Sequence, residues 1–160
     1  MEPLAQAIAA LEASPFGTWA RGSSYAYPLA NLIHLAGLIM LVGGIGLLDL
    51  RLAGAFRSLP VWSLEAVLTP IAIAGLLLMA PSGLVMFAAD ARALSGSDAF
   101  RLKLLLIALA LANAVAYRLV WRRQIADRAG EAPGLARAMA LASLLLWLAV
   151  ATLGRLIAYS

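Results

Sequence analysis

Two long stretches without formal charge constrain this chain more than anything else in it. No Asp, Glu, Lys or Arg falls between Arg21 and Asp49, and none between Glu65 and Asp90. Each run exceeds the ~20 apolar residues that a helix needs to cross the hydrocarbon of a bilayer. They predict transmembrane helices at about 27–50 and 64–89. A third run, Leu104 to Tyr117, spans if Lys103 and Arg118 snorkel at its two ends, which predicts a helix at about 99–122. A fourth, Ala138 to Gly154, extends to about 135–158 if Arg155 sits near the boundary.

The composition agrees. Sixty-four per cent of the 160 residues are hydrophobic and 12% are charged. Soluble domains are typically ~45–50% apolar and ~25% charged. There are no cysteines, so a disulfide framework, a thiolate metal site, an Fe–S cluster and covalently attached haem are all excluded. The net charge of +4 does not point to nucleic acid, because the basic residues lie between the apolar runs as anchors would.

The start of the chain, "MEPLAQAIAALEASPFG", has no basic residue, so it does not read as a secretory leader. Leu4, Ile8 and Leu11 recur at helical spacing, which predicts an amphipathic interfacial helix over 1–14, ended by Ser14-Pro15 and Gly17. The connections "RLAGAFRSLPVW", "DARALSGSDAF" and "RRQIADRAGEAPGLAR" are short. In the last, Gly130, Pro133 and Gly134 act as breakers. Ser97-Asp98 is suited to cap the third span. Short connections make neighbours antiparallel, so the expected fold is all-α, a single membrane domain built as an up-down four-helix bundle.

Seven basic residues (Arg51, Arg57, Arg118, Arg122, Arg123, Arg128 and Arg137) fall on one side of this arrangement. Five (Arg21, Arg92, Arg101, Lys103 and Arg155) fall on the other. The positive-inside rule places the first set in the cytoplasm and both termini in the periplasm of a bacterial inner membrane. Trp62 and Trp121 then suit the inner interface, and Trp19, Tyr25, Tyr27 and Tyr159 the outer one.

His34 is the sole histidine, inside "YPLANLIHLAG". It lies a quarter to a third of the way in from the outer face. Asn31 shares its face by the i, i+3 relation, and that face is expected to turn inward. "MAPSGLVMF" brings Pro81 into the outer half of the second span, where it removes a backbone hydrogen bond and predicts a kink. Met79 and Met86 lie seven apart on one face of that span. Lys103 and Arg155 approach the same level. His34, Asn31, Met86, Lys103 and Arg155 are therefore the candidate site for a bound cofactor, and His34, Met79 and Met86 the candidate metal ligands. Packing is the commoner reason for such methionines and for the glycines of "GGIG" at 43–46, and snorkelling to headgroups the commoner one for Lys103 and Arg155. Asp49 reads as an interfacial anchor, able to pair with an arginine such as Arg122.

"YPLANLIHLAG", "LLDLRL", "GLVMFAADA", "AFRLKLLL" and "LWLAVATLGRLIAYS" together resemble a family of small bacterial four-helix integral membrane proteins of unknown function. A looser similarity is to CopD-type copper-resistance membrane proteins. The resemblance covers nearly the whole chain and implies the fold and a membrane location, but no activity. Some members carry a second histidine near the inner end of helix three, where this chain has "NAVAYRLVW".

Three classes of function follow. The first is a non-catalytic binding or scaffold subunit, with a periplasm-facing polar site around His34. It would hold a lipid, quinone or carotenoid, or dock a larger membrane complex. The second is a b-type haem or copper protein, for which one histidine per chain leaves ligands to be found from methionine or a homo-oligomer. The third is a small oligomeric transporter or channel. No hydrolase constellation and no nucleotide-binding loop is present.

Overall fold

The computed structural model describes residues 2–127 and 131–157. Arg128, Gly130 and Tyr159, along with positions 1 and 158 of the expected spans, lie outside the described residues.

Four long helices form the body: α3 (Ala26–Ala53), α4 (Val61–Ala89), α6 (Asp98–Val120) and α8 (Gly134–Ile157). They are 28, 29, 23 and 24 residues long and apolar enough to cross a membrane. At ~1.5 Å per residue, the shortest exceeds the ~30 Å hydrocarbon core. Each lies within a few residues of its expected bounds. Large apolar side chains cover their outer faces, among them Ile39, Leu77, Leu119 and Leu145. Water would penalise that surface and lipid does not, so the chain is a multi-pass membrane protein.

Four short helices complete the chain: α1 (Glu2–Ala13), α2 (Pro15–Gly22), α5 (Ala91–Gly96) and α7 (Arg122–Asp127). Ser14-Pro15 does end α1, but it also starts α2. The Ser14 hydroxyl donates to Leu11 O at 2.6 Å, while its oxygen accepts from Gly17 N at 3.1 Å. Pro15 occupies the first turn, where its missing N–H costs nothing. "ARALSG" and "RRQIAD" are single-turn helices within stretches read as loops.

Glu12 fastens α1 and α2 to the bundle. Its carboxylate is buried and accepts from Arg92 N at 2.7 Å, Arg92 Nη2 at 3.0 Å and Arg21 Nη1 at 3.3 Å. The Arg92 backbone N–H, the Arg92 guanidinium and then Arg21 hold the Glu12 carboxyl down to about 2. We call this the α1 end of the molecule and the opposite one the α7 end.

The closest packing is between α3 and α4, and glycine permits it. A Cβ on Gly37 would stand 2.6 Å from Gly75 O, one on Gly75 2.5 Å from Gly37 O, and one on Gly44 2.8 Å from Leu68 O. Of the "GGIG" glycines, Gly44 thus faces α4 and Gly46 faces Leu144 of α8, while Gly43 meets nothing. At the α7 end, Arg51 is buried and donates to Leu59 O at 2.7 Å and Arg57 O at 3.3 Å, which fixes the α3–α4 turn.

Around the bundle α4 packs on α3, α3 on α8, and α8 on α6. The fourth side differs: α4 and α6 share no comparable packing. Side chains bridge them near both ends. Phe87 stacks on Phe100 with centroids 5.5 Å apart at the α1 end, and Arg122, just past α6, meets Glu65 at 2.8 Å at the α7 end.

Candidate functional site

His34 is half-buried between α3 and α4. Its Nδ1 lies 3.1 Å from Met79 O and 3.1 Å from Ser82 Oγ. A carbonyl only accepts, so Nδ1 carries the hydrogen. The Ser82 hydroxyl directs its own hydrogen to Leu78 O at 2.6 Å, which leaves its oxygen to accept from His34. Gly83 makes room for the ring: a Cβ there would stand 3.2 Å from His34 Cε1. The α4 helix runs unbroken through Pro70 and Pro81, and Ser82 binds carbonyls in the turn before it.

The remaining sequence candidates divide. Lys103 of α6 reaches inward over Gly154 of α8, where a Cβ would stand 3.3 Å from Nζ. Asn31 is exposed, so the expected inward face includes His34 but not Asn31. Three residues along a helix still leave a 60° offset about its axis, from ~100° per residue. Arg155 is exposed and Met86 half-buried. Met79 meets His34 through its carbonyl, while its side chain packs over Gly37 with Cγ 2.8 Å from where a Cβ would be. Among the described residues no group of three or more His, Asp or Glu is placed to hold a metal ion.

A second region was not expected from the sequence. In the half of the bundle nearer the α7 end, α3, α4, α6 and α8 enclose a cavity of about 140 Å³. It lies where two core clusters meet, one around Leu48 and Ala140, the other around Leu41 and Trp147. Most of its wall is aliphatic. Two of its lining residues each carry a buried polar atom without a hydrogen-bond partner, Asp49 Oδ2 and Trp147 Nε1. Asp49 is 8% exposed and Trp147 3%. Ser143, also buried, lines the cavity with them. Ser143 and Trp147 stand one turn apart on the same face of α8.

Asp49 is therefore not an anchor at the interface, and it does not pair with Arg122, which is taken by Glu65. Glu65, Thr69, Asn113, Tyr117 and Arg118 add further polar groups to the lining. Asn113 Nδ2 donates to Met139 O at 3.1 Å, and Trp121 Nε1 donates to Met139 Sδ at 3.1 Å. Met139 is thus held at both its carbonyl and its thioether.

Ile73 of α4 and Leu111 of α6 line the cavity and are exposed, at 46% and 38%. They mark its mouth. Both stand near the middle of their helices, on the side of the bundle where α4 and α6 do not pack. Arg118, nearer the α7 end, also lines the cavity and is exposed.

No family model, no curated protein and no solved structure matches this chain.

Proposed function

We propose that this chain is a membrane-embedded binding protein for a small lipid-soluble molecule, held in the cavity between its four helices. The observation that carries the reading is the cavity itself, about 140 Å³ between the four helices, with the buried Asp49, Ser143 and Trp147 among its lining residues. A buried polar group without a partner costs on the order of 1–3 kcal/mol. Asp49 and Trp147 each carry one such atom beside the cavity, and an occupant toward which either side chain turns would relieve that cost. The mid-helix mouth supports entry from the bilayer. In this reading the α7 end, where the larger number of basic residues lies, faces the cytoplasm, and the polar part of the cavity lies toward it.

The size supports a small occupant. Ligand pockets for drug-sized molecules are ~300–1,000 Å³, and a porphyrin does not fit in 140 Å³. His34 does not line the cavity. Its Nδ1–H is engaged with α4, and its role here is to join α3 to α4.

The test is thermal unfolding of detergent-purified, delipidated protein. Adding back a lipid extract of the native membrane should raise Tm by several degrees through preferential binding to the folded state. Ala114→Phe, which fills the cavity from α6, should abolish the rise. An equal rise in wild type and variant refutes binding in the cavity.

A further inference from the structure

We infer that the occupant is a fatty acid anion, with its carboxylate at Arg118 and its single acyl chain lying in the slot between α4 and α6. This rests on the cavity-binding reading above and narrows it to a chemical class.

The slot follows from how α6 is held. Among the long helices α6 packs on α8, with no comparable contact to α3 or α4, and Ala110 is its one buried residue. Leu111, Ala114 and Arg118 line the cavity at spacings of three and four, so they form one stripe along α6. Ile73, Thr69 and Glu65 form the corresponding stripe of α4, at spacings of four. The two helices run in opposite directions. Ile73 and Leu111 therefore stand at one level, near mid-helix, and Glu65 and Arg118 at another, near the α7 end. From Leu111 to Arg118 the slot runs ~10 Å, at ~1.5 Å per residue. It is apolar toward the middle of the bilayer and charged toward its boundary, which is the polarity of an acyl chain and its head.

The width sets the number of chains. An apolar cavity of roughly 150 Å³ admits one benzene. At about 140 Å³, this one takes a stretch of a single acyl chain. The remainder of the chain lies along the open α4–α6 side, against Ile73 and Leu111, which are already exposed there.

Arg118 sets the sign of the head. Three lining residues carry formal charge: Asp49, Glu65 and Arg118. Glu65 is committed to Arg122 at 2.8 Å. Asp49 is 8% exposed and lies on α3, diagonal to α6 in the bundle. Arg118 is exposed, and among the described residues its side chain has no hydrogen bond and no ion pair. It is the charge in the lining that is both accessible and uncommitted. A guanidinium stays protonated and presents a planar fork of N–H donors that matches a carboxylate in two parallel hydrogen bonds.

The experiment uses the full chain in phosphatidylcholine nanodiscs at about pH 8, well above an ordinary carboxyl value. The probes are stearic acid brominated at mid-chain and its methyl ester, which has the same chain and no charge. Bromine quenches tryptophan on contact, so an occupant of the cavity quenches Trp147 to saturation, and Trp147→Phe should remove that saturable part. The acid should bind at least ten times more tightly than the ester. Arg118→Gln should bring the acid to the level of the ester and leave the ester unchanged. Arg118→Lys, which keeps the charge without the fork, should fall between the two. Equal affinities of acid and ester for the wild type, or an undiminished preference in Arg118→Gln, overturn the carboxylate assignment and leave the cavity reading standing. Displacement by stearylamine more readily than by stearic acid would move the head to an acid such as Asp49 and overturn it too. Equal quenching by a brominated phosphatidylglycerol would overturn the single chain. Saturable quenching by neither probe overturns the fatty-acid assignment, and a Tm rise with the lipid extract would then uphold the cavity reading alone.

Discussion

Arg122 Nε and Glu65 Oε1 meet at 2.8 Å across the side of the bundle where α4 and α6 do not pack. That pairing decides what Asp49 is. With that arginine committed to Glu65, Asp49 makes no ion pair among the described residues and lines a cavity whose wall also holds Ser143 and Arg118.

The Arg122–Glu65 pair itself should contribute little. The Arg122 side chain is 55% exposed, and such pairs are typically worth under about 1 kcal/mol. Arg122→Ala should lower stability in detergent by less than about 1 kcal/mol. A much larger loss would tie the cavity wall to this pair after all.

Gly75 should tolerate no side chain. A Cβ there would stand 2.5 Å from Gly37 O and 2.7 Å from Leu41 N, both backbone atoms that move only with the helix. Gly75→Ala should destabilise by roughly 1–3 kcal/mol through overpacking, read as a lowered Tm. Ala at Gly43, where a Cβ meets nothing, is the matched control and should be neutral or slightly stabilising. Equal effects at the two positions would show that the α3–α4 contact is not set by glycine.

The bond from His34 to α4 makes a statement about a proton. Nitrogen-15 NMR of labelled histidine should find the neutral ring with hydrogen on Nδ1, since Met79 O can only accept. Ser82→Ala keeps that carbonyl and should cost about 0.5–1.5 kcal/mol. His34→Ala should cost more, because both contacts and the ring packing over Gly83 disappear. A hydrogen on Nε2 instead would contradict the arrangement.

Attachment of the N-terminal helices should depend on acid. Glu12 is held at about 2 against an ordinary 4.5. A carboxyl lowered on folding stabilises the folded state fully above its unfolded value, and the contribution disappears as pH falls toward the folded one. Protease protection of α1 and α2 should therefore be constant above about pH 5 and decline between there and pH 2. Glu12→Gln should show reduced protection at neutral pH and a flat profile. A wild-type profile in the variant would exclude Glu12 as the fastener.

The four spans were legible because lipid exposure imposes a simple rule on sequence: long runs without charge, ended by Arg, Lys and Trp. Lys103 and Arg118 mark α6 almost as well as its hydrogen bonds do. The short helices were less legible, since Ser14-Pro15 reads equally as a stop and as a start. His34 could be singled out because a lone imidazole in hydrocarbon demands a partner, and its inward direction followed. Asn31 misled, because i, i+3 neighbours diverge enough for one to face lipid. The cavity was not legible at all. It arises from four helices meeting imperfectly, and Asp49, Ser143 and Trp147 are brought together across more than ninety residues of chain. The one available signal was Asp49 itself, a carboxylate within the last turns of a membrane helix, and its nearness to Arg51 suggested an interfacial role.

The most direct test of the central claim is native mass spectrometry of the protein taken from its own membrane in a non-denaturing detergent. Wild-type protein should carry one small non-covalent adduct per chain, extractable into organic solvent and absent from Ala114→Phe. A wild-type protein that flies at its bare mass, or an adduct that Ala114→Phe retains in full, would contradict a ligand held between these helices.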